Sequence, residues 1–300
     1  MEILELYAGI GGCAVAAAGR LPVIAAIDQD EAAHHTYVHN LDHPAHRWNL
    51  VGVRPERLAA LGASLWWMSP PCQPFTVRGR GRDVDDARCQ SFLTVIDRIE
   101  ALWPDAIALE NVPGFAGSRA HARLRAVLRL GGYQVDEGLR CPSELGVPNR
   151  RRRFYLVAHR HAEVRLPPIP DPAVPRRPLS GYLDPEPEGT LYLSDAFLQR
   201  YRGALSVVDA RDRLAICECF TSAYGRSPVH AGSYLRDDVG VRRFSISETL
   251  ALLGFPATFR LPNDLSEGKA RKLVGNSLSV PVVARILDTI RDMAGPRVAP

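Results

Sequence analysis

The cysteine at position 72 is held more rigidly than packing would require. It lies in Ser69-Pro70-Pro71-Cys72-Gln73-Pro74-Phe75, where prolines on both sides fix the backbone. An accessible thiolate in a rigid loop is a nucleophile. The plain alternative, a buried cysteine in a proline-rich turn, leaves those prolines unexplained. Glu110-Asn111-Val112 closes the apolar run 105–111, and a carboxyl group placed in a crevice can be held neutral or ionised by its surroundings. Arg150 to Arg153 precede the apolar run FYLVA. In extended chain, alternate guanidinium groups of that run share one face. A basic run is usually a solvated edge, but this one leads straight into a buried strand, so some of its arginines are expected to turn inward.

Gly9, Gly11 and Gly12 separate an apolar run from a small-residue helix, and Asp28 follows nineteen residues after Gly9. Such glycines let the backbone approach a ligand at a helix N-terminus, and an acid ending the next strand can bind ribose hydroxyls. With Ala14 the spacing also satisfies the loose G-x-G-x-x-A form. A nucleoside-bearing cofactor is indicated, a dinucleotide included.

The elements that must position these groups follow from hydrophobic patterning. EILELYA (2–8), VIAAID (23–28), SLWWMSP (64–70), DAIALEN (105–111) and FYLVA (154–158) read as buried strands, and 91–103 and 119–131 carry helical spacing. Strands alternating with helices predict an α/β fold with a doubly wound parallel sheet, whose ligands lie at the carboxyl ends of the strands. From Val164 to Thr190, 8 of 27 residues are proline, which favours extended connections. A smaller domain of short strands is expected beyond it, CECFTSAYG (217–225) among them. Helical spacing returns at ISETLALLGF, stopping at Gly254, and a last helix runs from about Val280 to Met293. The expected division is a catalytic domain of 1–160 with 245–300, and a small domain of 161–244.

Composition bounds the alternatives. The chain has 300 residues, 46% hydrophobic and 23% charged, the balance of an ordinary globular protein. No apolar run approaches the roughly 18 residues of a membrane span, and the N-terminus lacks the pattern of a signal peptide. The six cysteines form no regular framework and suit reduced thiols in a cytoplasmic setting. Net charge is only +4, yet 140–177 holds nine arginines and three acids, a local +6 against −2 elsewhere. That segment suggests an anionic partner bound in a basic cleft.

The ordered set LELYAGIGG, SPPCQPF, ENV, the R-x-R within NRRRRF, and GNSLSVPVV resembles the motif set of the cytosine-5 methyltransferases, over most of 2–158 and 242–290. The resemblance implies a Rossmann-like methyltransferase sheet with a small target-recognition domain, and S-adenosylmethionine as methyl donor. It also implies a mechanism, in which Cys72 attacks C6 of a flipped-out cytosine. Glu110 then engages N3 and the exocyclic amine, while Arg153, with Arg151, holds the O2 edge and orients Glu110. The implied cofactor contacts are Tyr7, Gly9, Gly11, Gly12, Asp28, Pro71, Asn276 and Ser277. Asn49 joins them, where many relatives have an aspartate.

Details select among substrates. Pro148-Asn149 stands where DNA-modifying relatives have Pro-Gln. Cys219-Phe220-Thr221 followed by Tyr224-Gly225, the Leu253-Gly254-Phe255 stretch, and the Arg78–Arg82 loop are similar to the type-2, tRNA-methylating branch. An anticodon-loop cytosine is already unpaired, so exposing it costs less than in duplex DNA. The implied substrate is tRNA, contacted by Gln73, Arg78, Arg80, Asn111, Cys219, Phe220, Thr221 and Tyr224. DNA and a catalytically inactive nucleic-acid-binding homologue are the alternatives. A nucleotide-dependent oxidoreductase shares the glycine turn but leaves Pro-Pro-Cys-Gln and Glu-Asn-Val unexplained. No metal is expected, because Cys217 and Cys219 lack companion ligands and Pro44 separates the histidines between 34 and 46. No membrane and no obligate protein partner are implied.

Overall fold

The computed structural model describes residues 1–76, 83–168 and 177–293. A seven-stranded sheet comprises β1 (Ile3–Leu6), β2 (Val23–Ile27), β3 (Ala45–His46), β4 (Leu65–Met68), β5 (Ala106–Asn111), β6 (Gln134–Arg140) and β7 (Arg153–His159), in the order β3-β2-β1-β4-β5-β7-β6. Every residue of β1, β4 and β5 is buried. That is why these strands read as continuous apolar runs rather than alternating ones. Helices α1 (Gly12–Ala17), α2 (Glu31–Asn40), α3 (Pro55–Ala59), α4 (Gln90–Leu102) and α5 (Arg119–Leu130) connect the strands. The apolar stripes of α4 and α5 carry Phe92, Val95, Ile96, Ile99, Leu124 and Leu128 into the core.

The chain winds outward from β1 to β3, then returns to β4 on the other side. The crevice outside the carboxyl ends of β1 and β4 is therefore the topological switch point, where open sheets bind ligands. β1 to β5 are parallel, but β7 runs antiparallel to both β5 and β6. An all-parallel sheet was expected, and the polar strand β6 was not foreseen at all. The reversal matters because Asn111 pairs with Phe154. The start of β7, and not its end, thus lies at the carboxyl edge of β5.

A second sheet contains β8 (Val207–Asp209), β9 (Tyr234–Arg236) and β10 (Val241–Arg243), with α6 (Asp195–Arg200), α7 (Ile246–Leu253) and α8 (Glu267–Asn276). CECFTSAYG forms no strand. Only Cys217 makes a β-bridge, to Asn149, and the chain then turns. The last helix, α9, is Val280–Met293. By length and composition 267–293 could cross a membrane, but 67% of its most apolar window is buried in the protein, as in a core helix.

The chain forms two compact units. One is Met1–Arg140, Arg152–Pro168 and Val283–Pro300; the other is Cys141–Arg151 and Ile169–Val282. The expected boundaries at 160/161 and 244/245 differ from these, since α7 and α8 group with the small sheet. Buried charge explains α7. Glu248, at the helix start, accepts from both terminal nitrogens of Arg242 on β10 (2.8 and 2.7 Å) and from the Asp184 amide (3.0 Å).

Candidate active site

The loop after β1 is strained and open. Tyr7, Gly9 and Gly11 all have left-handed backbone, with φ of 58°, 54° and 89°. Gly11 is required twice over, because a Cβ there would also lie 2.4 Å from Leu41 Cδ1. At Gly9 nothing lies within 4 Å of a would-be Cβ, so the loop has room for a ligand. Asp28, just after β2, accepts the Gly9 amide on Oδ2 and the Asp30 amide on Oδ1, both at 2.8 Å. Burial raises its carboxyl above the ordinary range. Asn49 is exposed, and its Oδ1 accepts the Val51 amide at 3.0 Å.

Glu5 was missed from sequence, where it sits inside an apolar strand. Its Oε1 accepts the Cys13 amide at 3.1 Å, and its Oε2 accepts from the Tyr37 hydroxyl at 3.4 Å. The N-cap residue of α1, Gly11, has no side chain to do this, so Glu5 caps the helix from the neighbouring strand. The consequence is chemical. The Cys13 amide, one of those that would bind a pyrophosphate at this helix end, is already held by Glu5, which argues against a dinucleotide and suits a nucleoside ligand without phosphates.

Burial pushes the Glu5 carboxyl up to about 8 from 4.5, so folding favours its protonated form. That contribution to stability is complete below pH 4.5 and is lost as pH rises towards 8, amounting to roughly 5 kcal/mol at most. Glu5→Gln cannot ionise. Unfolding free energies measured from pH 5 to 8.5 should therefore move steadily in favour of the variant relative to wild type. Parallel curves would refute this assignment.

Cys72 follows β4 in a half-buried turn, where the Phe75 amide donates to its carbonyl at 2.9 Å. Pro71 and Gln73 flank it, also half-buried. On the adjacent strand, Glu110 ends β5, and Arg153 Nε lies 3.3 Å from its Oε1. Both side chains are largely buried, so their charges are poorly screened. This pair exists because β7 is antiparallel; in a parallel strand Arg153 would lie about 20 Å away at the opposite edge. Asn111 serves differently from the expected substrate contact. It is 1% exposed, donating Nδ2 to the Pro70 carbonyl at 3.1 Å and accepting the Val112 amide on Oδ1 at 2.8 Å. It ties the Cys72 turn to the strand that carries Glu110.

A model of the C-5 cytosine-specific DNA methylase family matches residues 1–292. The chain belongs to that family. It is similar to the tRNA (cytosine(38)-C(5))-methyltransferase of Schizosaccharomyces pombe, with 29% identity over 97% of this chain and 96% of the relative. The enzyme of the same name from Rattus norvegicus is also 29% identical, over 97% of this chain and 99% of its own length. Among solved structures, the crystal structure of S. pombe Dnmt2 methyltransferase superimposes with a TM-score of 0.88 at 27% identity, covering 99% of this chain and 100% of that one.

Other sites anticipated for this methylase need correction. In the second unit Arg151 is 2% exposed and donates to the carbonyls of Phe220 (3.0 Å), Gly275 (3.1 Å) and Ser277, with Cys219 Sγ at 3.5 Å. It is a strut joining the end of α8 to 219–221. Phe220 and Tyr224 are core residues, and the Tyr224 hydroxyl bridges the Ser233 carbonyl and the Phe244 amide, so neither is a substrate contact. Cys219 and Thr221 are half-buried, Asn276 is exposed and Ser277 half-buried. Arg78 and Arg80 lie outside the described residues.

Several described arginines of 140–177 have partners of their own away from Glu110, and Arg176 lies outside the described residues. Arg160 sits at the far end of β7, over the rings of Trp103 and Tyr133. Arg165 pairs with Glu163, Arg150 with Glu218, and Arg140 donates to the Pro167 carbonyl. Of the described arginines in that segment, Arg153 is the one ion-paired with Glu110.

Proposed function

We propose that this methylase transfers a methyl group to C5 of a cytosine in the anticodon loop of tRNA, with S-adenosylmethionine as donor. The observation that carries the chemistry is the convergence of Cys72 and the Glu110–Arg153 pair at the carboxyl edges of β4 and β5. Likeness along the full length of relatives named as tRNA methyltransferases supports the substrate. Glu5 supports a donor without a pyrophosphate, because it occupies the Cys13 amide at the helix end that a phosphate group would otherwise use. Tyr7, Gly9, Gly11, Gly12, Asp28, Asn49 and Pro71 would hold it, and when bound it supplies the electrophilic methyl group.

Cys72 Sγ forms a bond to C6, and the electron pair of the C5–C6 double bond passes into the ring. Glu110, at N3 and the exocyclic amine, stabilises that charge where it develops, as a neutral acid or by transferring its proton to N3. Arg153 fixes Glu110 and engages the O2 edge. C5, now nucleophilic, would take the methyl carbon, the donor's S–CH3 bond breaking and its sulfur leaving as the neutral thioether. Loss of its proton to solvent then drives out Cys72, breaking the S–C6 bond and restoring aromaticity. The free thiol is returned.

Side-by-side assays with unmodified tRNA transcripts and unmethylated duplex DNA test the reading. Radiolabelled methyl should accumulate in tRNA at least tenfold faster than in DNA. Transfer to DNA alone would overturn the choice of substrate, and transfer to neither would identify an inactive homologue.

A further inference from the structure

We infer that Gly114 is a positioning residue that sets where Cys72 stands relative to Glu110, an inference that rests on the catalytic reading above. Gly114 lies in the turn Pro113–Phe115, directly after the strand that carries Glu110. A Cβ at this position would lie 2.2 Å from the Phe75 carbonyl oxygen and 3.4 Å from its carbonyl carbon. The obstacle is backbone, which cannot swing aside as a flexible side chain can. Gly114 is absent from the positive-φ glycines, so close approach, not backbone conformation, demands a glycine here.

Phe75 closes the short helical turn Gln73–Phe75, and its amide bonds to the carbonyl of Cys72 itself. A push at Phe75 is therefore delivered to the nucleophile one hydrogen bond away. The other end of the turn is fastened too, by Asn111 Nδ2 on the Pro70 carbonyl. The two fastenings come from residues on either side of Val112, immediately after Glu110. The rings beneath extend the link. Phe115 is fully buried and meets Phe75 edge-on at 5.1 Å and Phe154, the neighbour of Arg153, at 5.5 Å. Nucleophile, acid and arginine thus stand on one aromatic base, and the Gly114–Phe75 contact fixes the spacing between the first two.

Relieving the clash of an alanine needs a shift of about 1.2 Å, from 2.2 to the 3.4 Å of ordinary contact. Misplacement by about 1 Å can cost on the order of 10²-fold in rate. Gly114→Ala is therefore expected to lower kcat about 100-fold, while KM for tRNA and cofactor affinity stay within threefold. A second readout is the rate at which iodoacetamide alkylates Cys72, followed by peptide mass spectrometry and expected to rise several-fold as the turn is displaced. A variant with wild-type kcat and wild-type alkylation would overturn the inference, as would equal losses in kcat and cofactor binding. If Gly114→Ala does not fold, Phe115→Leu, which keeps apolar volume but loses the ring edge on Phe75, should lower kcat about tenfold at unchanged KM, and an unchanged kcat would overturn it. A wild-type chain inactive on both nucleic acids sinks the catalytic reading alone, because the alkylation comparison still reports on the position of Cys72.

Discussion

Cys72→Ala should lower methyl transfer to tRNA by 10⁴-fold or more, with affinity for tRNA and cofactor within a few-fold of wild type. The size follows from the chemistry. The variant lacks the sulfur proposed to add to C6, and removal of a covalent nucleophile from an otherwise intact site is among the largest single effects measured in enzymes, on the order of 10⁶-fold in kcat. Affinity should survive because the turn is built by other groups. Asn111 holds the Pro70 carbonyl, the Phe75 amide closes on the backbone of residue 72, and Phe75 seats on Phe115, none of which involves the thiol. RNA carrying 5-fluorocytidine supplies a direct readout, since fluorine at C5 cannot leave as a proton does. Wild type should form an adduct stable to denaturing gels and the variant none. Residual activity above one per cent in Cys72→Ala would place the nucleophile elsewhere.

The second large effect concerns stability. Arg151→Leu is expected to destabilise the unit that contains it by about 3 kcal/mol or more, since each buried carbonyl that loses a charged donor costs roughly 1–3 kcal/mol. Its guanidinium donates to the carbonyls of Phe220, Gly275 and Ser277 inside the protein, and an apolar replacement removes that donor from all three. Arg151→Lys should recover only part of the loss, because a single ammonium cannot span carbonyls that a planar fork reaches from two nitrogens. Denaturant unfolding decides the matter. A chain that unfolds at the wild-type midpoint while turning over slowly would restore the base-holding role that the motif resemblance implies, and would refute the strut.

Both arginines of the R-x-R occupy alternate positions in extended chain, so sequence could place them on one face and no further. What separates them is the turn into β7. Arg153 begins that strand and meets Glu110, whereas Arg151 precedes it and is drawn into the second unit. Tyr224 and Phe220 show the same limit, since a motif names residues without saying which of them are spent on a core. Glu5 was invisible for a related reason. An acid within a buried strand becomes intelligible only once the uncapped end of α1 is seen beside it.

The features that sequence determined by itself are those written in neighbouring residues. They include the rigid Cys72 turn, the glycine loop, the continuous apolar runs of β1, β4 and β5, and the stop of α7 at Gly254. Each depends on backbone restriction or on periodicity within about ten residues. The tertiary structure decided which ends of the strands meet, which charges face each other, and to which unit α7 and α8 belong. A strand's pattern of side chains reads the same in either direction, so the reversal of β7 that brings Arg153 to Glu110 could only come from its pairing with β5.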